Sequence, residues 1–257
     1  MEKRRGGSQL PIQLVVEDLN ATLEDKVVLH DVAVTAQAGH VLALMGKTGS
    51  GKSTFLRVIN RMAEQRGCVV SGRIMLDNSS IFMQEPTDLR RRVGMVFTEP
   101  VLFAGTVLHN ITAGLRLQGI RKKQALEERA EETLRRMEIY KEFRDMLYTD
   151  SSRLTRGQAQ LTCIARALAL RPGLLLLDEP TRLLDAMTSI KVEDMLFSLR
   201  KECTMVVAVH SPQMAGRIAE ETAMMEDGTV LEWGRTSDLF YHPQHLHTEQ
   251  FISSRFA

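Results

Sequence analysis

Residues Gly46-Lys47-Thr48-Gly49-Ser50-Gly51-Lys52-Ser53-Thr54 fit the pattern G-x-x-x-x-G-K-[ST], and they restrict the possible fold more than any other stretch of the chain. Before them, Val41-Leu42-Ala43-Leu44-Met45 is an apolar run with the length of a buried strand. After them, Phe55, Ile59 and Met62 fall at i, i+4 and i+7 of an expected helix. Strand, glycine-rich loop and helix in that order form the context in which this pattern holds phosphate. The glycines let backbone N–H groups turn inward around phosphate oxygens, and the helix start adds unpaired N–H groups and a positive dipole end. In that frame Lys52 reaches the β- and γ-phosphates of a nucleoside triphosphate, and the Ser53 hydroxyl ligates Mg²⁺.

A second constellation lies further along. Leu174-Leu175-Leu176-Leu177 ends in Asp178-Glu179, two carboxylates at the C-terminal end of an expected buried strand, the edge where open α/β sheets bind ligands. Asp178 is read as holding Mg²⁺ through its water shell, and Glu179 as the base that polarises the water attacking the γ-phosphate. His210 follows the apolar run Met205 to Val209 in the same way. A third polar group at that edge can contact the γ-phosphate and orient the water. Leu154-Thr155-Arg156-Gly157-Gln158 puts a hydroxyl and a glycine at the start of an amphipathic helix. Such a start can bind phosphate, although a capping residue there is ordinary.

Composition bounds the partners. The chain has 257 residues, 33 basic against 32 acidic, and a net charge of +1, so no global field favours nucleic acid or an anionic membrane, and no nucleic-acid partner is expected. No run approaches the roughly 18 to 20 apolar residues of a membrane span, and the first eight residues lack the apolar core of a signal peptide. Cys68, Cys163 and Cys203 have no metal-ligand spacing and are expected to pack as reduced small hydrophobes.

The remaining pattern organises one domain over residues 1–257, with a loose N-terminus over 1–10. Strands are expected at Ile12 to Leu19, Lys26 to Thr35, Val69 to Leu76 and Val93 to Phe97. Helical character takes over from about Glu99 to Leu170. There, Leu126, Ala130, Leu134 and Met137 share a stripe, and Glu131/Arg135 and Glu132/Arg136 form i,i+4 pairs. Ala223-Met224-Met225 and Thr229-Val230-Leu231 flank a turn and read as a hairpin. The expected fold is α/β, a P-loop NTPase core with an N-terminal antiparallel β lobe and a helical subdomain inserted at about residues 99–170.

In this order the motifs resemble those of the ATP-binding-cassette ATPases, and nearly the whole chain takes part. Leu89 to Phe97, Gly114 to Ile120, Cys163 to Leu168 and the close, His247 to Phe256, look most like the ATP-binding subunits of bacterial phosphate importers. The resemblance implies ATP with Mg²⁺ and a head-to-tail dimer. Each ATP would lie between the phosphate loop of one subunit and Leu154, Thr155, Gly157 and Gln158 of the other. It also implies two membrane-spanning permease subunits on the helical insertion, an external phosphate-binding protein as an indirect partner, and a place on the cytoplasmic face of the inner membrane.

The chain departs from that family's pattern in four places. Leu23 stands near where an aromatic residue stacks on adenine; such stacks contribute about 1–3 kcal/mol in nucleic-acid complexes, so weaker ATP binding is expected. Thr98 replaces a glutamine that reaches Mg²⁺ and the water. Thr155-Arg156-Gly157 replaces Ser-Gly-Gly, and Arg182-Leu183 replaces a small pair before Leu184-Asp185. The intact hydrolytic set favours an attenuated transport ATPase. A nucleotide-responsive regulatory subunit is the alternative, and a soluble cassette ATPase of repair or translation is disfavoured by the single neutral cassette.

Overall fold

The computed structural model describes residues 10–256, so the expected loose segment lies almost wholly outside it. Two sheets organise the molecule. In the first, β1 (Leu14–Leu23) pairs antiparallel with β2 (Lys26–Ala36) and with β4 (Val69–Leu76), and the short β5 (Ser79–Ser80) completes the order β2-β1-β4-β5. In the second, β3 (Val41–Met45), β6 (Val93–Val96), β7 (Leu174–Asp178), β8 (Thr204–Val209), β9 (Glu221–Glu226) and β10 (Thr229–Arg235) lie in the order β10-β9-β3-β8-β7-β6. All its pairings are parallel except the β9–β10 hairpin.

The helices are α1 (Lys52–Ile59), α2 (Pro86–Arg92), α3 (Val107–Leu117), α4 (Lys123–Arg136), α5 (Tyr140–Phe143), α6 (Arg156–Leu168), α7 (Ala186–Leu199), α8 (Pro212–Ile218), α9 (Thr236–Tyr241) and α10 (Leu246–Phe256). Among the described residues, none is long and apolar enough to cross a membrane.

The central strands read as unbroken apolar runs because both faces are covered. Successive side chains alternate between two cores. Leu42, Leu44, Leu174, Leu176, Val206 and Ala208 pack with α1 and the antiparallel sheet, whereas Ala43, Met45, Leu175, Leu177, Val207 and Val209 pack with α3, α4 and α6. Each fully buried leucine contributes about 1.5–3 kcal/mol. Strands anchored on both sides are therefore firm mounts for the loops at their C-terminal ends.

Two local expectations need correction. Helix α1 stops at Ile59, so Met62 lies beyond it. Asn60 accepts from Met62 N–H at 3.2 Å, Arg61 turns left-handed (φ 57°), and Arg90 donates to the Asn60 and Arg61 carbonyls at 3.2 and 2.9 Å, which together end the helix. On α4 the Glu131–Arg135 pair forms at 2.6 Å, but Glu132 pairs with Arg129 and Arg171, while Arg136 donates to Glu202 at 2.7 Å. Tertiary partners outcompete the weak i,i+4 contact. The three cysteines are buried and free, and burial pushes their thiols up, that of Cys203 to about 12.

Candidate functional site

Strand β3 delivers the loop Gly46–Gly51 to the C-terminal edge of the parallel sheet, and α1 leaves from the loop's far end. Gly46 (φ 151°) has no room for a side chain: a Cβ would sit 2.2 Å from the Met225 carbonyl oxygen. Gly51 (φ 103°) caps α1 in a left-handed conformation open to glycine at little cost. Lys52 is 4% exposed and folds back over the loop. Its Nζ donates to the carbonyls of Gly46 (2.7 Å) and Lys47 (2.8 Å) and to Ser50 Oγ (3.4 Å). Burial pushes the pKa of its ammonium down, against the pull of Glu179 and Asp178 and with the help of Arg182. Lys47 contributes its carbonyl only; its exposed side chain lines a separate depression with Glu226 and His247.

Strand β7 brings the carboxylates to the same edge. Ser53 Oγ donates to Asp178 Oδ1 at 2.8 Å, and Arg57 Nη2 stands 3.4 Å from Asp178 Oδ2. Glu179 takes φ 45°, a conformation costing a non-glycine residue about 1–2 kcal/mol. Its N–H donates to the Ala208 carbonyl at 3.1 Å, which locks the turn onto β8. Oε1 of Glu179 lies 4.0 Å from Lys52 Nζ, and Oε2 accepts from Arg182 Nη1 at 3.1 Å. His210 follows β8 and is half-buried, two residues beyond Ala208.

Residues 48–54, Thr98, Glu179, Arg182, Val27, Val28, Asp227 and Gly228 line a cleft of about 410 Å³; Asp178 meets it through its hydrogen bond with Ser53, and Gly46, Lys47 and His210 lie outside its lining. The cleft fits a triphosphate with its cation. Loop residues 48–51 and the start of α1 line it, the buried lysine supplies positive charge, and a hydroxyl beside a carboxylate is the hard oxygen pair that Mg²⁺ prefers.

Thr155, Gly157 and Gln158 do not reach this cleft. They line a second one of about 350 Å³ with Arg156, Leu183, Asp185 and Thr188, while Leu154 packs against the helical core. Thr155 and Gln158 form a reciprocal capping box on α6: Gln158 N–H donates to Thr155 Oγ1 at 3.3 Å, and Thr155 N–H to Gln158 Oε1 at 3.0 Å. Gln160, two residues on, donates to the Phe97 carbonyl at 3.0 Å and ties α6 to the segment carrying Thr98. The Thr98 hydroxyl in turn donates to the Asp178 backbone carbonyl at 2.9 Å.

Leu23, paired with Lys26 beside the turn of the β1–β2 hairpin, packs against the core and does not line the cleft. Val27, 48% exposed, and Val28 supply the apolar wall instead. The Asp227-Gly228 turn was also missed; Gly228 N–H donates to the Ser50 carbonyl at 3.1 Å and its own carbonyl accepts from His30 N–H at 2.9 Å. Its signal was only the hairpin turn itself. Arg57 could have been found, since i+4 spacing from Ser53 on α1 places both on one face.

A family profile described as "ABC transporter" matches residues 29–182. The Phosphate import ATP-binding protein PstB 1 of Yersinia pestis bv. Antiqua is 40% identical over 248 residues, 95% of this chain and 92% of that protein. PstB 2 of Lactobacillus johnsonii is 38% identical over 244 residues, 94% and 97% of the two chains. Among solved structures, cbiO1 from Clostridium perfringens, part of the ABC transporter complex cbiONQ, superposes with a TM-score of 0.78 at 26% identity, covering 95% of this chain and 96% of that one. A bacterial Atm1-family ABC exporter with ATP bound gives 0.82 at 22% identity, over 98% of this chain and 44% of that one, and speaks to the fold alone. With its α/β cassette fold and this match, the chain belongs to the ABC transporter family, as an ATP-binding subunit.

Proposed function

We propose that the chain hydrolyses ATP to drive the import of inorganic phosphate, working as one of a pair of ATPase subunits under two permease subunits at the cytoplasmic face of the membrane. The observation that carries the hydrolytic part is the convergence of Lys52, Ser53 and Glu179 on one cleft, with Asp178 hydrogen-bonded to Ser53. The cargo rests on the phosphate-import relatives, alike over at least 92% of their own length.

Residues 48–54 and Lys52 hold the β- and γ-phosphates, and Ser53 and Asp178 hold Mg²⁺. The metal, when bound, neutralises charge on the phosphate oxygens. Glu179 takes a proton from water as that water's oxygen attacks the γ-phosphorus, and ADP leaves with the bridging oxygen. His210, at the neighbouring strand end, orients the water. Thr155, Gly157 and Gln158 open on a different cleft, which agrees with their meeting the nucleotide of a second copy of the chain arranged head to tail.

A second reading, a regulatory subunit with little turnover, draws support from Thr98, whose hydroxyl is committed to the Asp178 backbone. Affinity purification from membranes followed by reconstitution separates the two. Under the leading reading the chain brings membrane-spanning subunits with it, and its ATPase activity rises several-fold when phosphate and a phosphate-binding protein are supplied. Stimulation by a different oxyanion alone would reassign the cargo; a complex whose hydrolysis is insensitive to Glu179→Gln would favour the regulatory reading.

A further inference from the structure

Glu179-Pro180-Thr181-Arg182 closes into a turn. Arg182 N–H donates to the Glu179 carbonyl at 3.2 Å, and the left-handed φ of Glu179 points its side chain and that of Arg182 to the same cleft. The guanidinium then lies against the carboxylate, Nη1 to Oε2 at 3.1 Å, while the other oxygen faces Lys52 at 4.0 Å. The carboxylate is 8% exposed and the arginine side chain 48%, so a buried acid is covered from the solvent side by a cation four consecutive residues suffice to place. A buried carboxylate needs such a partner, and an exposed arginine gives up little by supplying one.

We propose that Arg182 is a positioning residue that restrains Glu179 and at the same time strengthens ATP binding; the inference rests on the ATPase reading above. A water must present a proton to one oxygen of Glu179. Oε2 is occupied by the guanidinium and Oε1 lies beside Lys52, so the restraint lowers kcat. The same guanidinium lines the phosphate cleft, where added positive charge favours a polyanion and lowers KM. The two constants are thus pushed down together by one side chain. A residue that merely shaped the subunit contact would not do this: on replacing it, kcat would fall as KM rose.

The test is steady-state MgATP hydrolysis by the full chain and its R182S, R182Q and R182K variants, with MgATP binding measured separately from the quenching of a fluorescent ATP analogue. R182S and R182Q are expected to raise kcat about tenfold, about 1.4 kcal/mol off the barrier, and to raise KM about two- to fivefold, the scale of a part-exposed ion contact. R182K, which keeps the charge, should restore the parent KM. The double variant E179Q/R182S should turn over no faster than E179Q, because the gain passes through the carboxylate. An unchanged or lower kcat in both neutral variants, or a gain that survives without Glu179, overturns the role of Arg182 while the ATPase reading stands. Failure of the parent chain to bind MgATP overturns that reading and this inference together.

Discussion

Lys52→Ala should abolish MgATP binding at concentrations that saturate the parent chain. Lys52 is the only loop side chain that is both cationic and buried, and its Nζ is already gathered by two loop carbonyls at the point where phosphate oxygens would replace them. Truncating one partner of a buried, hydrogen-bonded charge pair costs about 2–5 kcal/mol, roughly 30- to 5,000-fold in affinity. Equilibrium binding of a fluorescent ATP analogue reads the loss directly. Circular dichroism should be unchanged, since Phe55, Leu56 and Ile59 hold α1 in the core independently of the lysine. Retention of parent-like affinity in a folded Lys52→Ala chain would place the nucleotide elsewhere.

The second large effect is expected at Glu179. Glutamine keeps the size of the side chain and its place in the turn but cannot take a proton from water, and general-base catalysis contributes typically about 10²- to 10⁴-fold. Phosphate release by Glu179→Gln should fall by that factor. ATP binding should persist or tighten, because a negative charge beside the γ-phosphate is gone while Lys52 and Arg182 remain. If closure of the pair precedes hydrolysis, the variant should also accumulate as an ATP-dependent dimer on size exclusion. Turnover equal to the parent's would remove Glu179 from the chemistry.

The sequence disclosed local features whose physics is local. The phosphate loop needs glycines where backbone must approach backbone, and β7 and β8 need apolar residues at every position because both faces are covered, so each announces itself in a few consecutive residues. The β9–β10 hairpin and the buried stripe of α4 were legible for the same reason. Helices α7 to α10 were not anticipated. Two of them, α8 and α9, span only seven and six residues, too short for a periodic signal to accumulate, and their stability comes from docking on neighbours.

At the site, the limits follow the same logic. Arg182 was legible as a departure, but its contact depends on the left-handed backbone at Glu179, which no residue type there would suggest. Leu23 lies outside the lining of the phosphate cleft, where Val27 and Val28 stand, because hairpin register rather than distance along the chain sets which residues of β1 and β2 meet the loop. The separation of residues 154–158 from the phosphate cleft could be anticipated only through resemblance, which implies that a second chain brings them to the nucleotide.

Hydrolysis by this chain requires a nucleotide held by the loop around Lys52 with a metal beside Ser53 and Asp178. Isothermal titration of the purified, folded chain with ATP, carried out with Mg²⁺ and again with excess chelator, measures that directly. Saturable binding of one ATP per chain that weakens strongly when the metal is withdrawn is the expected result. No saturable heat up to millimolar ATP, or affinity indifferent to Mg²⁺, would contradict it.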